Sequence, residues 1–311
     1  MSGSPGGFPG QVSASEAAGR RSPDPLPHSE IDFVLGFAIG EDLGPGDVTT
    51  DALIPLERPG LGRLISKAQG VVSGLDVFGR VFELIDDRVQ IEFLVQDGDR
   101  IWPGDELLRI KGNARSLLIG ERTALNFVQR MSGIATETFR FVDAVEGRVR
   151  ICDTRKTTPG LRQFEKYAVE CGGAINHRFG LFDEVMVKNN HIDLAGSSLV
   201  ELLFALRASH GEDMRMTAEA RNEAEAFDGV AGGADCVLLD NMSPATMSDL
   251  CPRLRAAAAK QGRTIEIEAS GGIDLTTVVA VSHTGVDRIS VGALTHSAPA
   301  LDLSLGIEVH K

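Results

Sequence analysis

Six short apolar runs in the second half of the chain each end in residues that could bind a ligand or catalyse a reaction. The runs span residues 149–154, 184–188, 214–219, 236–240, 264–272 and 288–292. The first two ends are basic, the next two acidic, and the last two small and glycine-rich; in chain order they are Thr154-Arg155-Lys156, Lys188, Glu219, Asp240, Ser270-Gly271-Gly272 and Gly292-Ala293. Because β/α barrels gather their chemistry where strands end, we expect one shared site.

Positive charge is concentrated at Arg155, Lys156, His177, Arg178 and Lys188, although the whole chain is acidic. Lysine and arginine number 31 against 44 aspartate and glutamate residues, so the formal net charge is −13. Cationic donors that converge on one mouth would suit a polyanionic substrate, because arginine pairs well with carboxylate and phosphate oxygens. The alternative is an ordinary rim of solvated or salt-bridged side chains.

Glu219 and Asp240 are carboxylates at consecutive strand ends. Such a pair could hold Mg²⁺, could serve as acid and base, or could stabilise a developing positive charge. The plainer alternative is a pair of salt-bridged rim residues.

The glycine-rich ends come last in the chain, as Ser270-Gly271-Gly272 and Gly292-Ala293. Barrel enzymes commonly hold a phosphate with the loops after their last two strands, through backbone N–H groups and a helix N-terminus. His296 follows the final strand end and could contact such a phosphate. Two tight turns without a ligand are the alternative.

Helical patterns separate most of the apolar runs, which indicates a parallel β/α architecture. Ser243 and Pro244 are typical of a helix start and predict a helix to about residue 260. Six clear strands are fewer than the eight of a complete barrel. Arg162 and Lys166 lie in another helical stretch and are expected to be exposed.

The first half of the chain has a different composition. Glycine, proline and serine make up 16 of the first 30 residues, which predicts a disordered leader at 1–30. Alternation over residues 89–95 indicates a half-exposed strand. A long helical pattern over residues 116–145, interrupted by Gly133, is expected to join two domains.

Composition excludes several classes of protein. No apolar run approaches the roughly 18 residues that span a bilayer, and a net charge of −13 argues against nucleic acid as the main partner. The four cysteines form no CxxC pair and no zinc-like cluster; they are Cys152, Cys171, Cys236 and Cys251. They are expected to be small core residues in a protein of the reducing cytoplasm.

Residues 153–162 resemble the signature of the quinolinate phosphoribosyltransferase family. They read Asp153-Thr154-Arg155-Lys156-Thr157-Thr158-Pro159-Gly160-Leu161-Arg162. Further segments resemble the same family in order, from about residue 31 to 308; they are Glu41–Gly44, Glu121–Phe127, Ser132–Thr136, Asn176–Arg178, Leu239–Met242, Glu268–Ile273 and Ser290–Ser297.

The resemblance implies an α/β protein with two domains. An N-terminal α/β sandwich would cover residues 31–130, and an open, incomplete β/α barrel of the TIM type would cover 131–297. Residues 298–311 would pack back on the N-terminal domain. The family forms at least dimers, so Arg122 would be donated to the active site of a neighbouring subunit.

The implied reaction joins quinolinate to 5-phosphoribosyl-1-pyrophosphate and yields nicotinate mononucleotide, pyrophosphate and CO₂ in de novo NAD biosynthesis. Arg155, His177 and Arg178, with Arg122 and the neighbouring Thr154, would bind the quinolinate carboxylates. Lys156 and Lys188 would face the pyrophosphate and the reacting atoms, Lys156 in a catalytic role. Glu219 and Asp240 would steady Mg²⁺ or the charge that develops on the ribose. The 5-phosphate would be bound by the two glycine-rich loops and the histidine that follows them; these residues are Ser270, Gly271, Gly272, Val291, Gly292, Ala293 and His296.

Two positions depart from the family pattern. Asn189 stands after Lys188 where the family usually has an acidic residue. Thr217-Ala218-Glu219-Ala220 replaces a common Glu-Val-Glu-Val, so that Glu219 keeps its carboxylate and position 217 has lost one.

Three other hypotheses are compatible with the residues. One is a related phosphoribosyltransferase for another aromatic acid, of the type linked to molybdenum uptake. Another is a Schiff-base lyase that uses Lys156 or Lys188, since cationic neighbours can activate a lysine. The third is a non-catalytic binding protein, against which the intact carboxylates and lysines argue.

Overall fold

The computed structural model describes residues 23–309. Eleven helices and twelve strands form within this part of the chain; in order they are α1(His28–Leu43), α2(Val48–Leu53), β1(Pro59–Ser66), β2(Gly70–Val71), α3(Leu75–Ile85), β3(Gln90–Phe93), β4(Arg100–Ile101), β5(Glu106–Asn113), α4(Ala114–Ala144), β6(Arg150–Cys152), α5(Arg162–Cys171), β7(Val185–Val187), α6(Asn189–Ala195), α7(Leu199–His210), β8(Met216–Ala220), α8(Glu223–Ala231), β9(Cys236–Asp240), α9(Pro244–Lys260), β10(Glu266–Ser270), α10(Val278–Ser282), β11(Arg288–Ser290), α11(Ala293–His296) and β12(Leu303–Val309).

The sequence predicts a disordered leader over residues 1–30, but helix α1 already begins at His28, so the last three residues of that prediction are wrong. The reason is that His28 and Glu30 anchor this turn: His28 Nε2 lies 3.0 Å from Asp76 Oδ2, and Glu30 contacts Gln163. The prediction for residues 1–22 lies outside the described residues.

The N-terminal half is built on a four-stranded sheet in the order β12-β1-β5-β3. Both β5 and the C-terminal β12 pair antiparallel with β1, so the last strand of the chain completes the first sheet. Strands β1 and β5 pack against α4, which in turn packs on α3, where Phe78 and Phe82 are fully buried. The half-exposed strand predicted at residues 89–95 is β3.

The second half is a six-stranded parallel sheet in the order β6-β11-β10-β9-β8-β7. Each predicted apolar run overlaps one of these strands. Helix α9 begins at Pro244, directly after Ser243, whose hydroxyl accepts a hydrogen bond from the Thr246 N–H. No ladder joins β7 to β6; only an isolated bridge, Cys152 with Ile175, lies beyond β6. The fold is therefore the predicted one, an α/β protein with an open, TIM-like barrel.

The long helix α4 connects the two halves. It runs unbroken through the predicted boundary at residue 130 and through Gly133. A Cβ atom at Gly133 would lie 2.0 Å from the carbonyl oxygen of Pro299, so only glycine permits this close approach. The segment before β12 thus crosses α4 directly at the position where the helical pattern is interrupted.

All four cysteines are buried and free, as predicted. Within residues 23–309, none of the helices is both long and apolar enough to cross a membrane.

Candidate active site

A cavity of about 360 Å³ opens at the carboxyl ends of the parallel strands. Eleven of the sixteen residues predicted for the site line this cavity; they are Thr154, Arg155, Lys156, His177, Arg178, Lys188, Glu219, Asp240, Ser270, Gly271 and Gly272. The tertiary structure therefore brings the basic, acidic and glycine-rich strand ends together.

A buried ion pair positions the basic side of the cavity. Asp153, directly after β6, is fully buried and receives two contacts from Lys166 Nζ, at 2.7 and 2.8 Å. The same carboxylate accepts the backbone N–H of His177 at 2.6 Å, while Lys166 donates to the His177 carbonyl. These bonds fix the chain at His177 beside the end of β6.

Lys166 and Arg162 are not the exposed residues that their helical pattern suggested. Lys166 is 3 % exposed because it neutralises Asp153. Arg162 donates to the hydroxyl of Thr157 and to the carbonyl oxygens of Phe179 and Arg155. Both side chains therefore brace the loop that carries Arg155 and Lys156.

Two guanidinium groups and one imidazole converge at this side. The Nε atom of Arg155 and the Nε2 atom of His177 are buried without a hydrogen-bond partner among the described residues. Burial, and then repulsion by Arg155, lowers the pKa of Arg178 below its usual value. Like charges held this close, with donors left unpaired, form a site prepared for an anion.

A fully buried carboxylate, Glu268 of β10, lies beneath these cations. It accepts a hydrogen bond from Arg288 Nε at 2.6 Å and one from the Ser290 hydroxyl. His177 Nε2 lies 3.4 Å away, close enough for charge attraction but without hydrogen-bond alignment. Burial alone would raise the pKa of Glu268, but His177 and Arg288 outweigh it, and this pKa is lower than usual.

On the acidic side, Lys188 Nζ bonds to Glu219 Oε2 at 3.0 Å. Of the salt-bridged pair considered for Glu219 and Asp240, only the Glu219 ion pair is present within residues 23–309, and it lies on the wall of the cavity. Asp240 lines the cavity next to it, and its carboxylate accepts no hydrogen bond from the described residues. In that part of the chain, no cluster of three or more His, Cys, Asp and Glu side chains could hold a metal ion by itself.

The end of β10 requires glycine at position 271. Gly271 has a φ of +96°, and a Cβ atom there would lie 2.3 Å from Asn241 Oδ1. Asn241 itself has a φ of +54° and donates its N–H to the Ser270 carbonyl. The ends of β9 and β10 thus lock together and keep the backbone of this loop open to the cavity.

Five predicted residues do not line the cavity; they are Arg122, Val291, Gly292, Ala293 and His296. Val291 is a buried core residue, and Ala293 begins α11. The Cβ that Gly292 lacks would lie 3.1 Å from both Lys156 Cδ and His296 Nε2, so this loop borders Lys156. Arg122 is exposed on α4.

Sequence reasoning missed Met186, Leu238, Asn241, Glu268 and Ser290 on the cavity wall. Glu268 and Ser290 lie inside buried strands, where alternation alone does not distinguish a wall residue from a core residue. The signal that could have found Glu268 is a charged residue in an otherwise apolar strand, since such a group is buried only with partners.

Thr217 and Asn189, the two departures from the family pattern, lie on β8 and α6. Thr217 is buried on β8, and its hydroxyl donates to the carboxylate of Glu184, which directly precedes β7. Asn189 opens α6, where its side chain accepts the N–H of Asn190. Glu184 therefore brings a carboxylate beside position 217.

The fold and the cavity together define a class, an open β/α-barrel protein with a cationic cavity at its strand ends. Family models for the C-terminal and N-terminal domains of quinolinate phosphoribosyl transferase match residues 134–306 and 47–132. The chain therefore belongs to the quinolinate phosphoribosyl transferase family.

Individual relatives agree with this membership. A probable nicotinate-nucleotide pyrophosphorylase (carboxylating) of Bacillus subtilis is 39% identical over 90% of this chain and 94% of its own. A quinolinate phosphoribosyltransferase (decarboxylating) of Nicotiana tabacum is 38% identical over 92% of this chain and 84% of its own. The crystal structure of NadC from Streptococcus pyogenes superposes with a TM-score of 0.84 at 40% identity, covering 93% of this chain and all of that one.

Proposed function

We propose that this protein transfers the phosphoribosyl group of 5-phosphoribosyl-1-pyrophosphate to quinolinate, in the synthesis of NAD. The observation that carries the proposal is the cavity itself, where four lysine and arginine side chains and one histidine lie with three carboxylates in an otherwise acidic protein. Quinolinate has two carboxylates on neighbouring ring carbons, and the donor has a monophosphate and a pyrophosphate. Cations on one side and acids on the other suit that pair of substrates.

The reaction requires two bond exchanges. The quinolinate ring nitrogen forms a bond to the anomeric carbon of the ribose as the bond to pyrophosphate breaks, and pyrophosphate leaves with the electron pair. The carboxylate next to the ring nitrogen then leaves as CO₂, and its bonding electrons stay on the ring carbon, which takes a proton from water. Products are nicotinate mononucleotide, pyrophosphate and CO₂.

Arg155, His177 and Arg178, beside Thr154, bind the quinolinate carboxylates in this proposal. The unpaired buried donors of Arg155 and His177 support the assignment, because an anion would satisfy them. The same cations stabilise the charge on the ring as CO₂ leaves.

Lys156 and Lys188 bind the pyrophosphate end of the donor and orient the reacting atoms. Glu219 and Asp240 face the ribose, where their charge stabilises the cationic character of the anomeric carbon. A Schiff-base role for Lys188 is not supported, since its ammonium is ion-paired and partly open to solvent instead of lying in an apolar pocket.

The 5-phosphate lies in this proposal against the loop of Ser270, Gly271 and Gly272, and against the loop of Val291, Gly292 and Ala293 with His296. The open backbone at Gly271 supports the first contact. The closeness of Gly292 to Lys156 supports the second.

Magnesium fits this site together with the donor. The carboxylate of Asp240 and the Oε1 atom of Glu219 accept no hydrogen bonds within residues 23–309. Mg²⁺ is commonly held by one or two carboxylates plus substrate phosphates, so two acids suffice. When bound, the ion supplies charge neutralisation on the pyrophosphate oxygens.

We also infer a homodimer, or a higher homo-oligomer, in the cytoplasm. Exposed apolar side chains on α1 and α2 support a subunit contact; they are Phe33, Phe37, Val48 and Leu53. Arg122 has no ion-pair partner in the described part of the chain, which supports its donation to a second subunit. Free, buried cysteines suit a reducing compartment.

The test is an activity assay on the purified protein. Quinolinate, 5-phosphoribosyl-1-pyrophosphate and Mg²⁺ should yield nicotinate mononucleotide and CO₂ in equal amounts. Nicotinate in place of quinolinate should give little or no product, because it lacks the second carboxylate that the cationic side of the cavity binds. Absence of product with quinolinate would refute the proposal, and light scattering would determine the oligomeric state.

A further inference from the structure

Glu184 is a buried carboxylate that lies behind the cationic side of the cavity. The residue is 7 % exposed, directly precedes β7, and does not line the cavity. A buried charge in this position requires partners. Its partners include two of the residues assigned above to quinolinate binding.

The first partner is Arg178. Its guanidinium Nη1 donates to the main-chain carbonyl of Glu184 at 2.9 Å. Burial lowers the pKa of Arg178, and the positive charge of Arg155 lowers it further, while the negative charges of Glu184 and Asp183 oppose that shift. Glu184 therefore compensates charge repulsion at Arg178 before any anionic ligand binds.

The second partner is His177. Its Nδ1 atom accepts the N–H of Arg178 at 2.7 Å and lies 3.9 Å from Glu184 Oε2. Since that nitrogen uses its lone pair as an acceptor, the proton of the neutral ring belongs on Nε2. Glu184 thus lies on the Nδ1 side of the ring, and the proton-bearing edge is the opposite one.

Two further groups hold the carboxylate of Glu184 itself. Thr217 donates its hydroxyl to Oε1, and Arg215 Nε lies 3.7 Å from the same atom. Both belong to β8 or the residue before it, the strand that also carries Glu219. The carboxylate is therefore fixed to the sheet and is not free to swing into the cavity.

We propose that Glu184 is the positioning residue of the quinolinate subsite, holding Arg178 directly, and His177 through the Arg178 N–H, in the geometry that receives the substrate carboxylates. This inference rests on the proposed function. It assigns to Glu184 no contact with substrate and no part in the bond-breaking steps. Its loss should therefore affect quinolinate binding and leave donor binding nearly unchanged.

The main test is Glu184→Gln, which keeps the shape of the side chain and removes its charge. We expect the KM for quinolinate to rise by about tenfold, with the KM for the phosphoribosyl donor within about twofold of its original value. Calorimetric titration with quinolinate alone should show the same loss of affinity. Thr217→Val, which removes the hydroxyl that holds Oε1, should shift the quinolinate KM in the same direction by a smaller factor.

A relocated carboxylate provides a rescue test. Thr217 contacts Glu184 Oε1 directly, so a glutamate at position 217 would bring its carboxylate to the space that the glutamate at 184 occupies. Glu184→Ala should raise the quinolinate KM, and the double variant Glu184→Ala with Thr217→Glu should recover much of that loss. If the side chain at position 184 only filled space, a carboxylate at position 217 would not restore the quinolinate KM.

Glu106→Gln is the matched control. Glu106 is a half-buried carboxylate with two arginine partners, Arg63 and Arg109, on the N-terminal sheet and outside the cavity. Its neutralisation should leave both KM values unchanged. Thermal unfolding of each variant separates misfolding from loss of binding.

The outcomes distinguish the two proposals. An inactive unaltered protein would overturn the proposed function, and this inference with it. An active unaltered protein with an unchanged quinolinate KM in Glu184→Gln would overturn the inference alone. A lower quinolinate KM in that variant would overturn it too, because Glu184 would then act only as a charge that repels the substrate.

Discussion

At the cavity, two nitrogen donors are buried without a hydrogen-bond partner in residues 23–309, Nε of Arg155 and Nε2 of His177. Burying such a donor unpaired costs about 1–3 kcal/mol, a cost that a bound carboxylate would remove. The surrounding contacts hold these donors in place, through the ion pair of Lys166 with Asp153 and through the hydrogen bond from Arg178 to the main-chain carbonyl of Glu184. The protein therefore bears the cost of arranging the site before the substrate arrives.

Arg155→Ala should weaken quinolinate binding by about 1–3 kcal/mol, because a buried substrate carboxylate would lose its partner. Arg155→Lys should recover only part of this loss, since an ammonium lacks the planar pair of donors. Steady-state kinetics with varied quinolinate measure both effects. Arg253→Ala, which removes an exposed, ion-paired arginine of α9, is the control, and an unchanged quinolinate KM in Arg155→Ala would refute the assignment.

Lys166→Met should destabilise the protein by about 3–5 kcal/mol, because it leaves the fully buried Asp153 without its partner. Urea unfolding of the variant gives the free energy directly. Lys111→Met, at an exposed position on β5, should change stability by less than about 0.5 kcal/mol. Equal stability of the two variants would show that Asp153 finds another partner.

At the scale of elements, α4 is both a wall of the N-terminal half and the connection to the barrel. Its contact with the segment before β12 is close, since the Pro299 carbonyl lies where a side chain at position 133 would be. The same segment carries Leu301, whose N–H donates to Gln129 of α4. A glycine that weakens a helical pattern is here the residue that lets the C-terminal chain return to the first sheet.

Gly133→Ala should therefore destabilise the protein, by about 1–3 kcal/mol or more, since the backbone of residues 299–300 must move to admit a methyl group. Gly36→Ala is the matched control in α1, where a new Cβ atom would have no neighbour within 4 Å. That change should be neutral or stabilising by up to about 1 kcal/mol, because alanine is the better helix former. Thermal and urea unfolding compare the two, and equal effects would contradict the packing described for α4.

At the scale of the whole molecule, the cavity contains only part of the predicted anion-binding set. Arg122 is exposed on α4 and outside the cavity, while Arg155, His177 and Arg178 line it. If Arg122 acts in a second subunit, each complete site needs residues from two chains. Heterologous mixtures of defective subunits can then form intact sites.

Arg122→Ala and Arg155→Ala should each be nearly inactive alone at low quinolinate concentration. Co-expressed, they should recover activity toward one quarter of the unaltered level, because half of the dimers are mixed and each mixed dimer carries one intact site. Activity assays on the co-purified mixture measure this. Mixing Arg155→Ala with Arg178→Ala, both on the same side of one cavity, is the control that should recover none, and equal recovery in the two mixtures would refute donation across subunits.

Local patterns in the sequence determined the elements and the inventory of chemical groups. The six parallel strands, the helix that begins at Pro244, and the order of basic, acidic and glycine-rich strand ends all follow from short-range periodicity and turn residues. The family signature added the reaction class. These features depend on residues close together in the chain, where spacing alone carries the information.

Only the tertiary structure decided which groups meet. The helical pattern predicts that Lys166 is exposed, but in the structure Lys166 bonds to Asp153, thirteen residues earlier in the chain. Glu268 and Glu184 lie in or next to apolar strands, and their partners come from other strands and loops. The burial and pairing of charged groups depend on contacts between distant parts of the chain, which local periodicity does not encode. The carboxylates that support the cavity could therefore be identified only from the tertiary structure.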